Sequence, residues 1–248
     1  MNQKGGVGKT TTAINLAYAL SDKGHKVTVI DTDPQSHLSL GMGVNTRMQS
    51  GVDDVFLEQS AIDDHVVDVA ENLSLLPAGK RLGEIENLLK GGSERGWVLK
   101  RAIDASDVCR HSDFCIIDCP PSAGLLGMNA LFAATELMIP VSSDFLSLHG
   151  VSRMINVIDY IDESLKKQSK RWFVMTRYHE RRRLSREVKE KLMEYFESAV
   201  LATPVRESVA LAESPSYGQS IFDYQPNGNG AKDYRNLAED LLNERVMQ

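Results

Sequence analysis

Near the start of the chain, Lys4-Gly5-Gly6-Val7-Gly8-Lys9-Thr10-Thr11 has the residue types of a phosphate site. Glycines let the backbone turn tightly, so that successive N–H groups point inward at phosphate oxygens. A helix starting at the end of the run adds its positive N-terminal end. The general pattern is G-x-x-x-x-G-K-[ST]. Gly8-Lys9-Thr10 supply its end, and Gln3 stands where the first glycine belongs. Lys9 can set a point charge on the β- and γ-phosphates of ATP, and the Thr10 hydroxyl suits Mg2+. Gly5, Gly6, Val7, Gly8, Lys9, Thr10 and Thr11 form the predicted nucleotide loop. Carboxylates follow two apolar runs, Asp31 and Asp33 after Val27-Thr28-Val29-Ile30 and Asp118 after Phe114-Cys115-Ile116-Ile117. An apolar strand that delivers a carboxylate to a phosphate loop delivers it toward Mg2+. Thr10, Asp33 and Asp118 are the candidate metal residues.

The second lysine, Lys4, sets this loop apart. The string resembles the deviant Walker A box of the ParA/MinD family of P-loop ATPases. Asn2-Gln3-Lys4 with Thr10-Thr11-Thr12 is similar to the ParA/Soj partition branch. Asp31-Thr32-Asp33-Pro34-Gln35 resembles the family's switch I, and Asp118-Cys119-Pro120-Pro121-Ser122 its Walker B and switch II segment. The block from Arg206 to Gly218 looks like one that lies near the adenine and the dimer edge, which makes Arg206 and Ser208 nucleotide-contact candidates. Gly230-Ala231-Lys232-Asp233-Tyr234 fits the family's last helix. The likeness runs through essentially the whole chain and is thinnest over 45–110.

The resemblance implies a catalytic set of Lys4, Lys9 and Asp33. Lys4 would reach across an ATP-sandwich homodimer to the phosphates of the second subunit, Lys9 would serve its own site, and Asp33 would orient water. Asp31 would be an outer contact of the metal. It also implies slow, Mg-dependent hydrolysis of ATP to ADP and phosphate, stimulated by a ParB-like partner, with plasmid or chromosome partitioning through nonspecific DNA binding. Partition ATPases carry DNA-gripping arginines where this chain has Ala210 and the uncharged run Pro226-Asn227-Gly228-Asn229-Gly230. Lys166, Lys167, Lys170, Arg171, Arg177, Arg181, Arg182, Arg183 and Arg186 are a second candidate for phosphate backbones, with a solvated basic face or a protein contact as the alternative. Two other readings stay open: a positioning ATPase for a protein cargo such as a chemoreceptor or polar assembly, and a nonhydrolysing dimerisation partner.

These residues need strands to carry them and helices to flank the strands. Apolar runs alternate with amphipathic stretches, the pattern of βαβ units and a mostly parallel sheet. Helices are expected at about 10–19, 146–165, 185–196 and 231–245, with an interrupted helical stretch over 80–108. Strands are expected at 27–31, 73–76, 114–118, 137–139, 172–175 and 199–201. The fold class is therefore α/β, a P-loop domain of the deviant Walker A type spanning 1–248. A phosphate loop ordinarily joins a strand to a helix, yet only Met1, Asn2 and Gln3 precede this one. The first strand is expected to be missing or truncated, with a lead of about 8–10 residues absent.

The chain has 248 residues, 42% hydrophobic and 25% charged, enough for a sizeable core without disulfides. A net charge of −6 argues against a uniformly basic nucleic-acid coat. Cys109, Cys115 and Cys119 make no paired framework and match no cluster motif, so buried, inert thiols are expected. The histidines lack ligand spacing. There is no apolar run of about 20 residues and no signal-peptide pattern, which predicts a cytoplasmic protein. The C-terminal stretch 234–248 carries Glu239, Asp240 and Glu244, so it is expected to pack on the domain rather than on a membrane.

Overall fold

Val27–Asp31 (β1) is apolar on both faces, and all five residues are buried. A strand with helices on both sides reads as such a continuous run. β1 pairs in parallel with Leu73–Leu76 (β3) and with Phe114–Asp118 (β4), Asp31 standing opposite Asp118. Val67–Ala70 (β2) closes one edge antiparallel to β3, giving the order β2-β3-β1-β4. Glu136–Ser142 (β5) and Lys170–Thr176 (β6) form a separate parallel pair. The computed structural model describes residues 6–45, 50–85, 93–121, 124–143 and 145–247.

One face of the first sheet is covered by Lys9–Ser21 (α1), which packs through Ile14, Leu16, Ala17 and Leu20 onto Val27, Val29, Leu73 and Leu75. On the opposite face, Val52–Glu58 (α3), Val98–Ala105 (α4) and Leu125–Ala133 (α6) bury a second cluster around Ile30 and Leu76. A short helix, His37–Gly41 (α2), follows the β1 end, and Asp107–Arg110 (α5) precedes β4. The β5–β6 pair is flanked by Phe145–Leu165 (α7) and Arg183–Phe196 (α8). On its other side Trp172, Val174 and Leu201 meet Leu211 of Val209–Glu213 (α9), Ile221 of Ile221–Tyr224 (α10), and Tyr234 and Leu237 of Asn229–Leu242 (α11). Tyr234, Leu237, Ala238 and Asp240 are buried, so the C-terminal stretch packs on the fold as its acidic face predicts.

Several expected elements differ. The strand read at 137–139 extends through Pro140 to Ser142, because among the described residues β5 is bonded by β6 on one side only and tolerates a residue with no N–H. The strand expected over 199–201 reduces to isolated bridges, Val200 to Phe173 and Leu201 to Val246, after a short 3-10 turn. The stretch over 80–108 is broken by 3-10 turns at Leu82–Glu84 and Ser93–Trp97, with 86–92 outside the described residues. The basic residues expected to crowd one region separate to the two ends of β6. Lys170 and Arg171 begin the strand and Arg177 follows it, about 20 Å away at 3.3 Å per residue. The first set is tied down: Lys167 donates to the Leu131 carbonyl, Lys170 pairs with Glu244, and Arg171 pairs with Asp159 and Asp162.

Candidate functional site

Gly6 and Gly8 have φ of 83° and 89°, the left-handed region where glycine escapes the Cβ penalty. The turn they make ends at Lys9, the first residue of α1, so the helix start faces the loop as an anion site requires. Val7 is buried, and its carbonyl accepts a 2.8 Å hydrogen bond from the Thr176 hydroxyl at the end of β6. The loop is thus latched to the second sheet while its helix packs on the first.

The Thr10 hydroxyl donates to Asp118 Oδ2 at 2.7 Å. Asp118 is at the C-terminal end of β4, side by side with Asp31 at the end of β1, and both are buried. Burial, then the negative charge of Asp31, pushes the Asp118 carboxyl up to about 7, with the Thr10 bond pulling the other way. Burial likewise raises Asp31 to about 6, offset by bonds from the Ser39 hydroxyl at 2.6 Å and the Ser39 N–H at 2.9 Å. Two desolvated carboxylates beside a hydroxyl form an all-oxygen donor set short of positive charge. That chemistry fits Mg2+, which takes one or two protein carboxylates and completes its shell with phosphate and water.

Asp33 sits in the turn beyond β1 and is half-buried. Its N–H donates to Asp31 Oδ1 at 3.1 Å, and its own Oδ1 accepts from the Gln35 N–H at 2.9 Å. The carboxylate is therefore engaged in its own turn. Thr11 is half-buried in the first turn of α1. Lys4, Gly5 and Ser122 lie outside the described residues. Arg206 comes to the same end of β6 through the bridge from Tyr178. Its guanidinium is held by the buried Asp233, with Nε–Oδ2 3.0 Å and Nη2–Oδ1 2.5 Å. Ser208 precedes α9 and is half-buried. The structure thus brings together Gly6, Val7, Gly8, Lys9, Thr10 and Asp118, with Asp31 and Asp33 on the adjacent strand end.

Four supporting residues escaped the sequence reading. Thr176 latches the loop, Ser39 holds Asp31, Tyr234 places its hydroxyl 3.2 Å from the Thr12 hydroxyl, and Asn15 accepts the Ile221 N–H at 2.8 Å. Thr176 alone carried a signal, because it ends an apolar strand, where ligands of open α/β sheets gather. Arg177 follows it at φ 49° with Nη2 3.6 Å from the position a Gly6 Cβ would take. The cysteines meet the expected burial in part. Cys109 is buried, whereas Cys115 and Cys119 are half-buried, and all three are free. No helix among the described residues is long and apolar enough to cross a membrane.

A family described as an AAA domain matches residues 1–170. The chain is similar to the sporulation initiation inhibitor protein Soj of Bacillus subtilis, 35% identical over 97% of this chain and 95% of the relative. It is also similar to the chromosome partitioning protein ParA of Caulobacter vibrioides, 32% identical over 97% and 91%. Among solved structures it resembles a cobyrinic acid a,c-diamide synthase from Mycobacterium smegmatis with bound ATP analog and magnesium. That likeness has a TM-score of 0.83 at 30% identity and covers 98% of this chain and 93% of the other. McdA from Cyanothece, at 22% identity and a TM-score of 0.84 over 97% and 96%, shares the fold.

Proposed function

The chain belongs to the ParA/MinD family of P-loop ATPases, on its partition branch, and on that premise we propose that it is a Mg-ATP-switched partition ATPase. The observation that carries this reading is the Thr10–Asp118 hydrogen bond, which joins the phosphate loop to the β4 carboxylate beside Asp31. In this reading the loop amides and the α1 N-terminus hold the phosphates, and Lys9 neutralises charge at the β- and γ-positions. Thr10 and Asp118 would hold Mg2+, which would supply charge neutralisation at the phosphates. Asp33 leaves its bond with Gln35 to orient the attacking water, and Lys4 completes the site of a second subunit. Arg206 and Ser208 stand toward the adenine. Catalysis of this kind is positioning plus charge stabilisation, so turnover is slow until a ParB-like partner orders the loop around Asp33.

The cations for DNA in this reading are Arg177, Arg181 and Arg186, exposed at the phosphate-loop end of β6. Of their neighbours, Arg182 pairs with Glu207 and Arg183 with Glu187. The test is binding to nonspecific duplex DNA with ATP, with ADP and without nucleotide, across a salt series. ATP-dependent binding that falls steeply with salt is the expected result. Salt-insensitive binding, or none from a chain that still dimerises with ATP, overturns the DNA part. That outcome favours a protein cargo, the reading suited to Ala210 and the uncharged run over 226–230. Asp33→Ala is expected to hold an ATP-bound dimer; a monomeric, freely exchanging variant contradicts the assignment.

A further inference from the structure

Alternate residues of β4 face different layers. Phe114 and Ile116 pack toward α1, whereas Cys115 and Ile117 pack into the cluster around Ile30, Leu76 and Leu126. Cys109 is a buried member of that second cluster. It sits on α5, a single turn separated from β4 by His111, Ser112 and Asp113. The short connection thus sets two thiols against one side of one strand. Cys119 lies one residue past the end of β4, beside Asp118.

The two thiols share a hydrogen bond in which Cys115 donates to Cys109. That bond holds the Cys109 thiol below its ordinary value, against the opposing effects of burial and of Asp63. The same bond, together with burial, holds Cys115 well above its own. Burial raises Cys119 as well. The Cys109 N–H donates to Ser106 Oγ at 3.1 Å, which fixes the residue in its turn. Thiolates, not thiols, attack, so Cys109 is the nucleophile of the three, and Cys115 stands beside it with its proton. Cys109 keeps 7% of its surface exposed on an element of four residues, short enough to open locally to a small oxidant.

We propose that Cys109 and Cys115 form an oxidant-sensitive pair that closes to an intramolecular disulfide, with hydrogen peroxide as the oxidant. The Cys109 thiolate attacks one peroxide oxygen, the O–O bond breaks, and the departing hydroxide takes up a proton to leave as water. Cys109 is then a sulfenic acid. Cys115 gives up its proton and attacks the Cys109 sulfur, the S–O bond breaks, and the hydroxide leaves with that proton as a second water. The two sulfurs lose two electrons and the peroxide gains them. The closed bond ties the strand that ends at Asp118 to the turn before it. The inference does not rest on the ATPase reading.

The reduced, folded chain is treated with hydrogen peroxide in the absence of nucleotide, and its remaining thiols are alkylated. Trypsin with an Asp-directed protease then puts the three cysteines on separate peptides, by cutting at Arg110 and Asp118. The expected result is a Cys109–Cys115 link, loss of two of the three free thiols, and their recovery with dithiothreitol. In Cys115→Ser the sulfenic acid has no thiol to meet, so dimedone capture at Cys109 should rise about tenfold or more over the parent. Links between chains or through Cys119, or three thiols that survive peroxide, overturn the proposal. Dimedone capture at Cys115 of Cys109→Ser equal to that at Cys109 of Cys115→Ser overturns Cys109 as the attacking thiol.

Discussion

Asp118→Asn is expected to stabilise the nucleotide-free protein while removing its response to Mg-ATP. The folded chain holds the Asp118 carboxyl at about 7 against an ordinary value of 3.8. An acid whose pKa is raised by folding is protonated in both states below its unfolded value and costs nothing there. As pH rises through the window between the two values, the unfolded state loses its proton first and stability falls. Above pH 7 the full penalty applies, about 4 kcal/mol at 1.36 kcal/mol per tenfold. Asparagine keeps an acceptor for the Thr10 hydroxyl and carries no charge beside Asp31, so a gain of about 2–4 kcal/mol is expected. For a chain of this size that raises Tm by about 5–10 °C. The assay is thermal unfolding in chelator at pH 5 and pH 8, then with Mg-ATP. The variant should exceed the parent at pH 8, approach it at pH 5, and show little further rise with Mg-ATP. A variant less stable than the parent at pH 8 would refute the claim that a desolvated charge is stored at this position.

Thr176→Val removes the hydroxyl that holds the Val7 carbonyl and leaves a buried acceptor unsatisfied, at a cost of about 1–2 kcal/mol. Titration calorimetry should show nucleotide affinity falling about five- to thirtyfold, and unchanged affinity counts against the latch. Gly79→Ala should destabilise by about 3 kcal/mol or more in urea titration. Gly79 has φ 78°, and a Cβ there would stand 1.8 Å from the Asp53 carboxylate that accepts the Gly51, Asp54 and Arg81 N–H groups. Replacing Arg177, Arg181 and Arg186 together by alanine should make the log–log salt slope of ATP-dependent DNA binding shallower by up to about three. An unaltered slope would move the DNA surface elsewhere.

The phosphate loop and the strands ending at Asp31 and Asp118 were legible because their signals are local. Glycine spacing, apolar runs and a carboxylate at the end of each run all lie within ten residues. The residues that steady the site were not. Thr176 meets Val7 across 169 positions and Tyr234 meets Thr12 across 222, and no periodicity links residues so far apart. Adjacency in sequence also misled. Lys170 and Arg177 looked like parts of one basic region, but Lys170 begins a seven-residue strand and Arg177 lies just beyond its other end. The split of the sheet was half legible. The alternation of strands and helices was read from apolar runs, whereas the separation of β5–β6 from the first sheet, with a cavity between β4 and β5, emerged only from the packing.

The contacts between α1 and α11 bear on the order in which the protein can be made. The helix that starts the nucleotide site takes one buried hydroxyl contact from Tyr234 and one backbone bond from Ile221. Both partners leave the ribosome more than two hundred residues after Thr12. At about 5–20 residues per second, the phosphate loop spends roughly ten to forty seconds without its final support. Its helix is synthesised long before the residues that seat it. A nascent chain is therefore expected to gain full nucleotide affinity only after Tyr234 has emerged, which keeps the switch silent until then.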